Sequence, residues 1–147
     1  MKDRIKFNDA MLAAVMDGRK TQTRIPIDKE TLRLFDIASE TGECFPLGYN
    51  PDEPFEKYHL EFFPYGEIGD IINVADKDGN IKGKIEITDV WLQQVNDISE
   101  SDAKAEGFDE YENAYSSEFA LMWNAIYGID SWINNEWVWV IKFHKVE

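Results

Sequence analysis

Apolar positions change period several times along the chain, and each change marks an element. Arg4 to Phe7 alternates polar and apolar residues like a short strand. Asn8 then offers a helix N-cap, and Met11, Leu12, Val15 and Met16 recur at helical spacing until Gly18 supplies a stop. Arg19 and Lys20 leave that helix and start a loop. Thr21, Thr23 and Ile25 alternate with Gln22 and Arg24 before Pro26, which predicts a short extended segment. A brief helix is expected from Asp28 to Phe35.

Thr41 to Pro64 holds four of the five prolines and has no sustained period, so it reads as a long excursion from the core. Its aromatic residues Phe45, Tyr49, Phe55, Tyr58, Phe62 and Phe63 give it apolar surface with which to pack back down as a lid or wall. Asp70 to Ala75 and Ile81 to Val90 predict two strands joined by a turn at Asp78-Gly79-Asn80. In the second of these, Lys84, Glu86 and Thr88 alternate with Ile85, Ile87 and Val90 only approximately. Ser99, with Asp102 three residues on, predicts a helix from Glu100 to Glu106 ended by Gly107. Ser116 or Ser117 starts another, carrying Phe119, Ala120, Met122, Trp123 and Ile126 as far as Gly128. Trp137-Val138-Trp139-Val140-Ile141 is apolar on both faces, the mark of a central strand covered on each side. Strands with three to four helices around them predict an α+β fold, a small compact β-barrel with helical decoration.

The chain has 147 residues and 44% hydrophobic content, which fits one compact domain over residues 1–147 with the 41–64 stretch as an insertion. A lone cysteine, Cys44, cannot close an internal disulfide, so a reducing, cytoplasmic setting is expected. Charged residues from Lys2 to Arg4 and the interruptions at Asp9 and Asp17 argue against a signal-peptide core or a membrane span. The net charge of −14 argues against general duplex binding, which needs Lys and Arg to displace counterions. That charge is uneven: residues 1–35 carry eight basic and five acidic residues, a balance of +3, and the remainder carries −17. A local cationic site on an acidic body suits a nucleotide or a short single strand.

The loop from Gly18 to Arg24 concentrates three cations and two hydroxyls directly after a helix. Lys20 and Thr23 would face opposite sides of a straight strand, but a bend after Gly18 brings them to one pocket. An amine there can activate a hydroxyl if it loses its proton near neutral pH, through desolvation or the cationic neighbours Arg19 and Arg24. Glu106 would supply the complementary carboxylate and protonate a leaving amine. The plain alternatives are a basic helix end that offsets the macrodipole, ordinary strand threonines and a solvated glutamate at the end of a helix. His59 and His144 are far apart without a second ligand at useful spacing, so neither a metal centre nor any other cofactor is expected. Trp91, Trp137 and Trp139 read as core, and Trp132 as the tryptophan most open to solvent.

Four segments together resemble the ASCH domain of the PUA-like superfamily, in the version found in phage and prophage proteins. They are MLAAVMDGRKTQTR (Met11 to Arg24), PYGEIGD (Pro64 to Asp70), Ile85 to Gly107, and Phe119 to Phe143 with LMWNAIYG and WVWVIKF. The resemblance implies a PUA-like barrel with helices around a cleft and an association with RNA or modified nucleosides. Small bacterial relatives hydrolyse the amide of N4-acetylcytidine with a lysine, a threonine three residues later and a distant glutamate. The matching positions are Lys20, Thr23 and Glu106, with Arg19, Thr21 and Arg24 as ligand-binding neighbours. The sequence departs from the phage pattern after Gly69-Asp70, where a tryptophan, a valine, an arginine and a glutamate are usual and Asn73, Val74, Ala75 and Asp76 follow Ile71-Ile72 instead. Ile25 replaces a second arginine after Arg24.

Three functions are therefore expected in competition. The first is an RNA- or nucleoside-directed protein with amidohydrolase activity on an N4-acylated cytidine. The second is a non-catalytic binder of RNA or nucleotide that uses the cation loop for phosphate and an aromatic wall for a base. The third is an acidic phage protein whose −17 remainder engages a basic host partner.

Overall fold

A computed structural model of the chain describes residues 2–40, 60, 62–108 and 115–146. Cys44, His59 and nearly all of the 41–64 insertion lie outside the described residues. Among the described residues, five strands and four α-helices follow one another as β1 (Arg4–Lys6), α1 (Asp9–Met16), β2 (Gln22–Pro26), α2 (Lys29–Glu40), β3 (Ile71–Ala75), β4 (Ile81–Gln94), α3 (Glu100–Ala105), α4 (Tyr115–Tyr127) and β5 (Trp137–Val146). The fold is α+β.

Local chemistry accounts for the ends of most elements. The Asn8 side chain accepts the Met11 N–H at 2.9 Å to open α1, and Ser99 accepts the Asp102 N–H at 3.1 Å to open α3. At the α3 to α4 joint, the Glu100 carboxylate accepts the backbone N–H groups of Tyr115 and Ser116, both at 3.1 Å. Asp28 holds the start of α2 by accepting the Thr31 N–H at 2.7 Å and the Thr31 hydroxyl at 3.0 Å. The expected helix end at Phe35 is corrected to Glu40, because Asp36 to Glu40 contains neither glycine nor proline to break the spiral.

The strands form one mixed sheet in the order β1-β3-β4-β5-β2, in which β1 and β3 are parallel and the other pairs antiparallel. β4 continues past Val90 to Gln94 because β5 pairs with it throughout, Leu92 opposite Trp139 and Gln94 opposite Trp137. A register shift between Ile87 and Asp89 explains why the alternation of β4 is only approximate in the sequence. As expected, β5 is internal and covered on both faces. Trp139, Ile141 and Phe143 join Ile5, Phe7, Phe35, Phe63 and Val74 in one core, while Val138 and Val140 join Val95, Phe119 and Trp123 in a second.

The expected closed barrel is not what the described strands form. β1 and β2 occupy the two ends of the strand order and do not pair with each other, so the sheet is open. Both of these edge strands line a cavity of about 600 Å³. No helix among the described residues is long and apolar enough to cross a membrane.

Candidate functional site

The chain turns back at the end of α1. Gly18 takes a φ of +86°, and the Lys20 N–H donates to the Ala14 carbonyl at 3.0 Å. This sends the Lys20 side chain inward, where its Nζ donates to Glu106 Oε1 at 2.9 Å and to the Glu106 carbonyl at 3.0 Å. Glu106 is the C-cap residue of α3, and Arg24 Nη1 donates to its other oxygen, Oε2, at 2.8 Å. Lys20, Arg24 and Glu106 are only 1%, 3% and 3% exposed. The solvated reading of Glu106 is thereby overturned. Packing explains it: Gly107 has a φ of +109°, and its missing side chain lets α3 approach Ala14 and Lys20.

A wider polar network surrounds the three charges. Arg24 Nε donates to Gln93 Oε1 at 3.0 Å, and Nη1 also donates to Gln22 Oε1 at 3.1 Å. Gln22 Nε2 in turn donates to Asp102 Oδ1 at 3.1 Å, and Asp102 Oδ2 stands 3.6 Å from Arg24 Nη2. That Nη2 group is buried without a hydrogen-bond partner among the described residues. Two cations and two carboxylates balance in sign, as a buried cluster requires.

Burial pushes the Lys20 ammonium below the ordinary lysine range; the Glu106 carboxylate pulls it back and Arg24 lowers it further. The direction suits an amine that must release a proton. The hydrogen bond from that amine to Glu106 works against the release.

Thr23 stands elsewhere on β2. It lies opposite Ile141 and Ile25 lies opposite Trp139, so both share the sheet face of the larger core; Gln22 and Arg24 take the other face, toward α3. Thr23 is buried and lines the cavity. The Lys20 amine lies 5.8 Å from the centre of the Phe7 ring, which also lines the cavity. The structure therefore joins Lys20 directly to Glu106, whereas Thr23 lines the cavity on the opposite sheet face from Arg24, and neither Lys20 nor Glu106 is among the residues that line that cavity.

The other residues expected around the loop are spread out. Arg19 is exposed and donates to Asp17 Oδ2 at 2.7 Å and to the Gly107 carbonyl at 3.3 Å. Thr21 holds the loop through its backbone, its N–H donating to the Ala105 carbonyl at 2.8 Å and its carbonyl accepting the Phe143 N–H at 2.9 Å. Trp132 is half-buried and meets the Phe119 ring edge-on, with centroids 5.9 Å apart. No group of three or more His, Cys, Asp or Glu residues among the described ones is placed to hold a metal ion.

Sequence reasoning missed most of the cavity wall. Lys2, just before β1, and Arg4 and Lys6 within it line the cavity, and Tyr65 and Tyr127 line it from segments far away in the chain. The Lys2 Nζ stands 5.6 Å from the centre of the Tyr65 ring. Burial raises the Tyr65 hydroxyl, and it raises that of Tyr127 to about 12, with Tyr65, Glu106 and Glu136 adding to the shift. Both phenols are thus neutral hydrogen-bonding groups at physiological pH. The one signal for this wall in the sequence was the +3 balance of residues 1–35.

No family model matches the chain. No curated protein matches it either. Among solved structures, it is similar to protein EF3133 from Enterococcus faecalis V583, described with the family model DUF984, at a TM-score of 0.55 and 19% identity over 99% of this chain and 77% of that one. An ASCH domain from Lactobacillus crispatus JV V101 gives a TM-score of 0.48 at 15% identity, over 93% of this chain and 70% of that one. The likeness to the Enterococcus protein is one of fold: the chain shares that protein's architecture over nearly its whole length.

Proposed function

We propose that this chain binds a nucleoside or a short single-stranded RNA in the cavity between β1 and β2. The observation that carries the reading is the composition of the cavity wall, which places aromatic rings and cations together on a chain whose net charge is −14. Tyr127, 44% exposed, offers ring surface for a base, with the largely buried Tyr65 on the same wall; Lys2 and Lys6 offer positive charge. About 600 Å³ is within the usual range for a small-molecule site. The sequence resemblance to ASCH domains supports the same ligand class. Calorimetric titration of cytidine, N4-acetylcytidine and a short single-stranded RNA tests it. Saturable binding is expected, weakened by about 1–3 kcal/mol in Tyr127→Ala, the loss of a stacked base; absence of binding by all three ligands would remove the proposal.

A second reading adds hydrolysis of an N4-acyl amide of cytidine, and the buried Lys20–Glu106 pair, in which burial lowers the lysine amine, favours it. In this reading Lys20 takes the proton of Thr23 or of a water, and the freed oxygen attacks the acyl carbonyl. Glu106 assists transfer of a proton to the leaving amine as the C–N bond breaks; if Thr23 attacks, water then releases the acid from the ester. Acetate release from N4-acetylcytidine is the assay. Thr23→Val is the informative variant, because it removes the hydroxyl without disturbing the charge cluster. Loss of turnover with unchanged cytidine binding would support hydrolysis through Thr23, whereas no turnover by the unaltered chain would leave binding alone.

A further inference from the structure

Resting on the nucleoside-binding reading, we infer that the ligand is a phosphorylated nucleoside and that the first strand, rather than the loop after α1, holds its phosphate. The loop's own cations are engaged: Lys20 and Arg24 bind Glu106, and Arg19 binds Asp17. β1 differs. Arg4 is occupied, donating to Asp3 at 3.0 Å and to the Gly79 carbonyl at 2.8 Å, and this contact neutralises the one carboxylate among the described residues of the cavity wall, that of Asp3. Lys2 and Lys6, on either side, have no carboxylate within 4.0 Å among the described residues; Asp28 acts on Lys2 only at longer range. Among the described residues, two ammonium groups without a carboxylate partner therefore border a cavity in an otherwise acidic molecule, which focuses positive potential there.

The backbone adds fixed donors. β1 joins β3 through the Asp3 carbonyl, which accepts the Asn73 N–H at 3.2 Å, and through the Phe7 N–H, which donates to the Ala75 carbonyl at 2.9 Å. Alternation along the ladder then turns the amides of Arg4 and Lys6 toward the outer edge, the side on which no strand pairs. Lys2 is fixed by its own N–H, which donates to the Pro64 carbonyl at 2.8 Å, and the Lys6 stem lies against the Gly79 turn. A phosphate at this edge would meet amide donors and two ammonium groups while its base reaches Tyr127 in the same cavity.

The test titrates the full chain with cytidine, cytidine 5′-monophosphate and a short 5′-phosphorylated oligocytidylate. The phosphorylated ligands should bind about tenfold or more tightly than cytidine, the effect of one or two charge-assisted contacts. Lys2→Ala with Lys6→Ala should erase that preference, while Lys84→Ala, the same charge change on β4, should keep it. A preference for the monophosphate identifies a free nucleotide; one confined to the oligonucleotide identifies a strand end. Equal affinity for cytidine and both phosphorylated ligands, or a preference that survives in the double variant, would overturn the assignment while sparing nucleoside binding. Binding of none of the three would overturn both.

Discussion

Glu106 is bracketed by two cations, and its removal is not equivalent to the removal of either partner. Glu106→Gln leaves Lys20 and Arg24 buried together with no carboxylate between them, whereas Lys20→Met leaves Glu106 still paired with Arg24 at 2.8 Å. Breaking a buried pair from one side costs about 3–5 kcal/mol. Urea unfolding at neutral pH should therefore show a loss of that order for Glu106→Gln and a smaller one for Lys20→Met; the reverse order would refute the bracketing. The residue types of this cluster were legible in the sequence, as the lysine, arginine and glutamate of the resemblance. Their burial was not, because nothing local to Glu106 distinguishes a desolvated helix-end carboxylate from a solvated one. It takes the arrival of Lys20 from 86 positions away to stabilise the charge inside.

At the scale of elements, the join between α1 and α3 decides whether the cluster assembles. Gly18 and Gly107 both have positive φ, yet their surroundings differ. A Cβ at Gly18 would meet nothing within 4 Å, so Gly18→Ala should cost only the left-handed backbone term, about 1–2 kcal/mol. At Gly107 a Cβ would stand 2.8 Å from Ala14 Cβ and 2.9 Å from Lys20 Cβ, so Gly107→Ala adds overpacking of about 1–3 kcal/mol. Thermal unfolding of the two variants should separate them clearly, with Gly107→Ala the less stable; equal midpoints would mean that α3 can retreat without cost. Both stops were readable as glycines after helical spacing. Which of them also serves as a contact surface depends on two helices that are distant in the chain.

Across the whole molecule, opposite electrostatic demands meet. A net charge of −14 makes the folded chain repel itself, while the cavity edge gathers cations. Salt screens both effects. Raising sodium chloride from about 0.05 to about 0.5 M should raise the thermal midpoint of the free protein and weaken its binding of a phosphorylated nucleoside. Measured side by side, two slopes of the same sign would show that the cavity does not use local positive charge. The open sheet sets this geometry, because the edge strands that would close a barrel instead border the cavity.

Periodicity and punctuation in the sequence determined the elements: the capped helices at Asn8 and Ser99, the stops at Gly18, Gly107 and Gly128, and a central strand apolar on both faces. These depend on interactions within a few residues, and so they are written locally. Only the tertiary structure decided that α2 runs to Glu40, that β4 follows its partner to Gln94, that the sheet stays open, and that Lys2, Lys6, Tyr65 and Tyr127 share one wall. Strand pairing and cavity walls join residues from far apart in the chain, and the free energy that selects them comes from burial and from charges meeting across that distance.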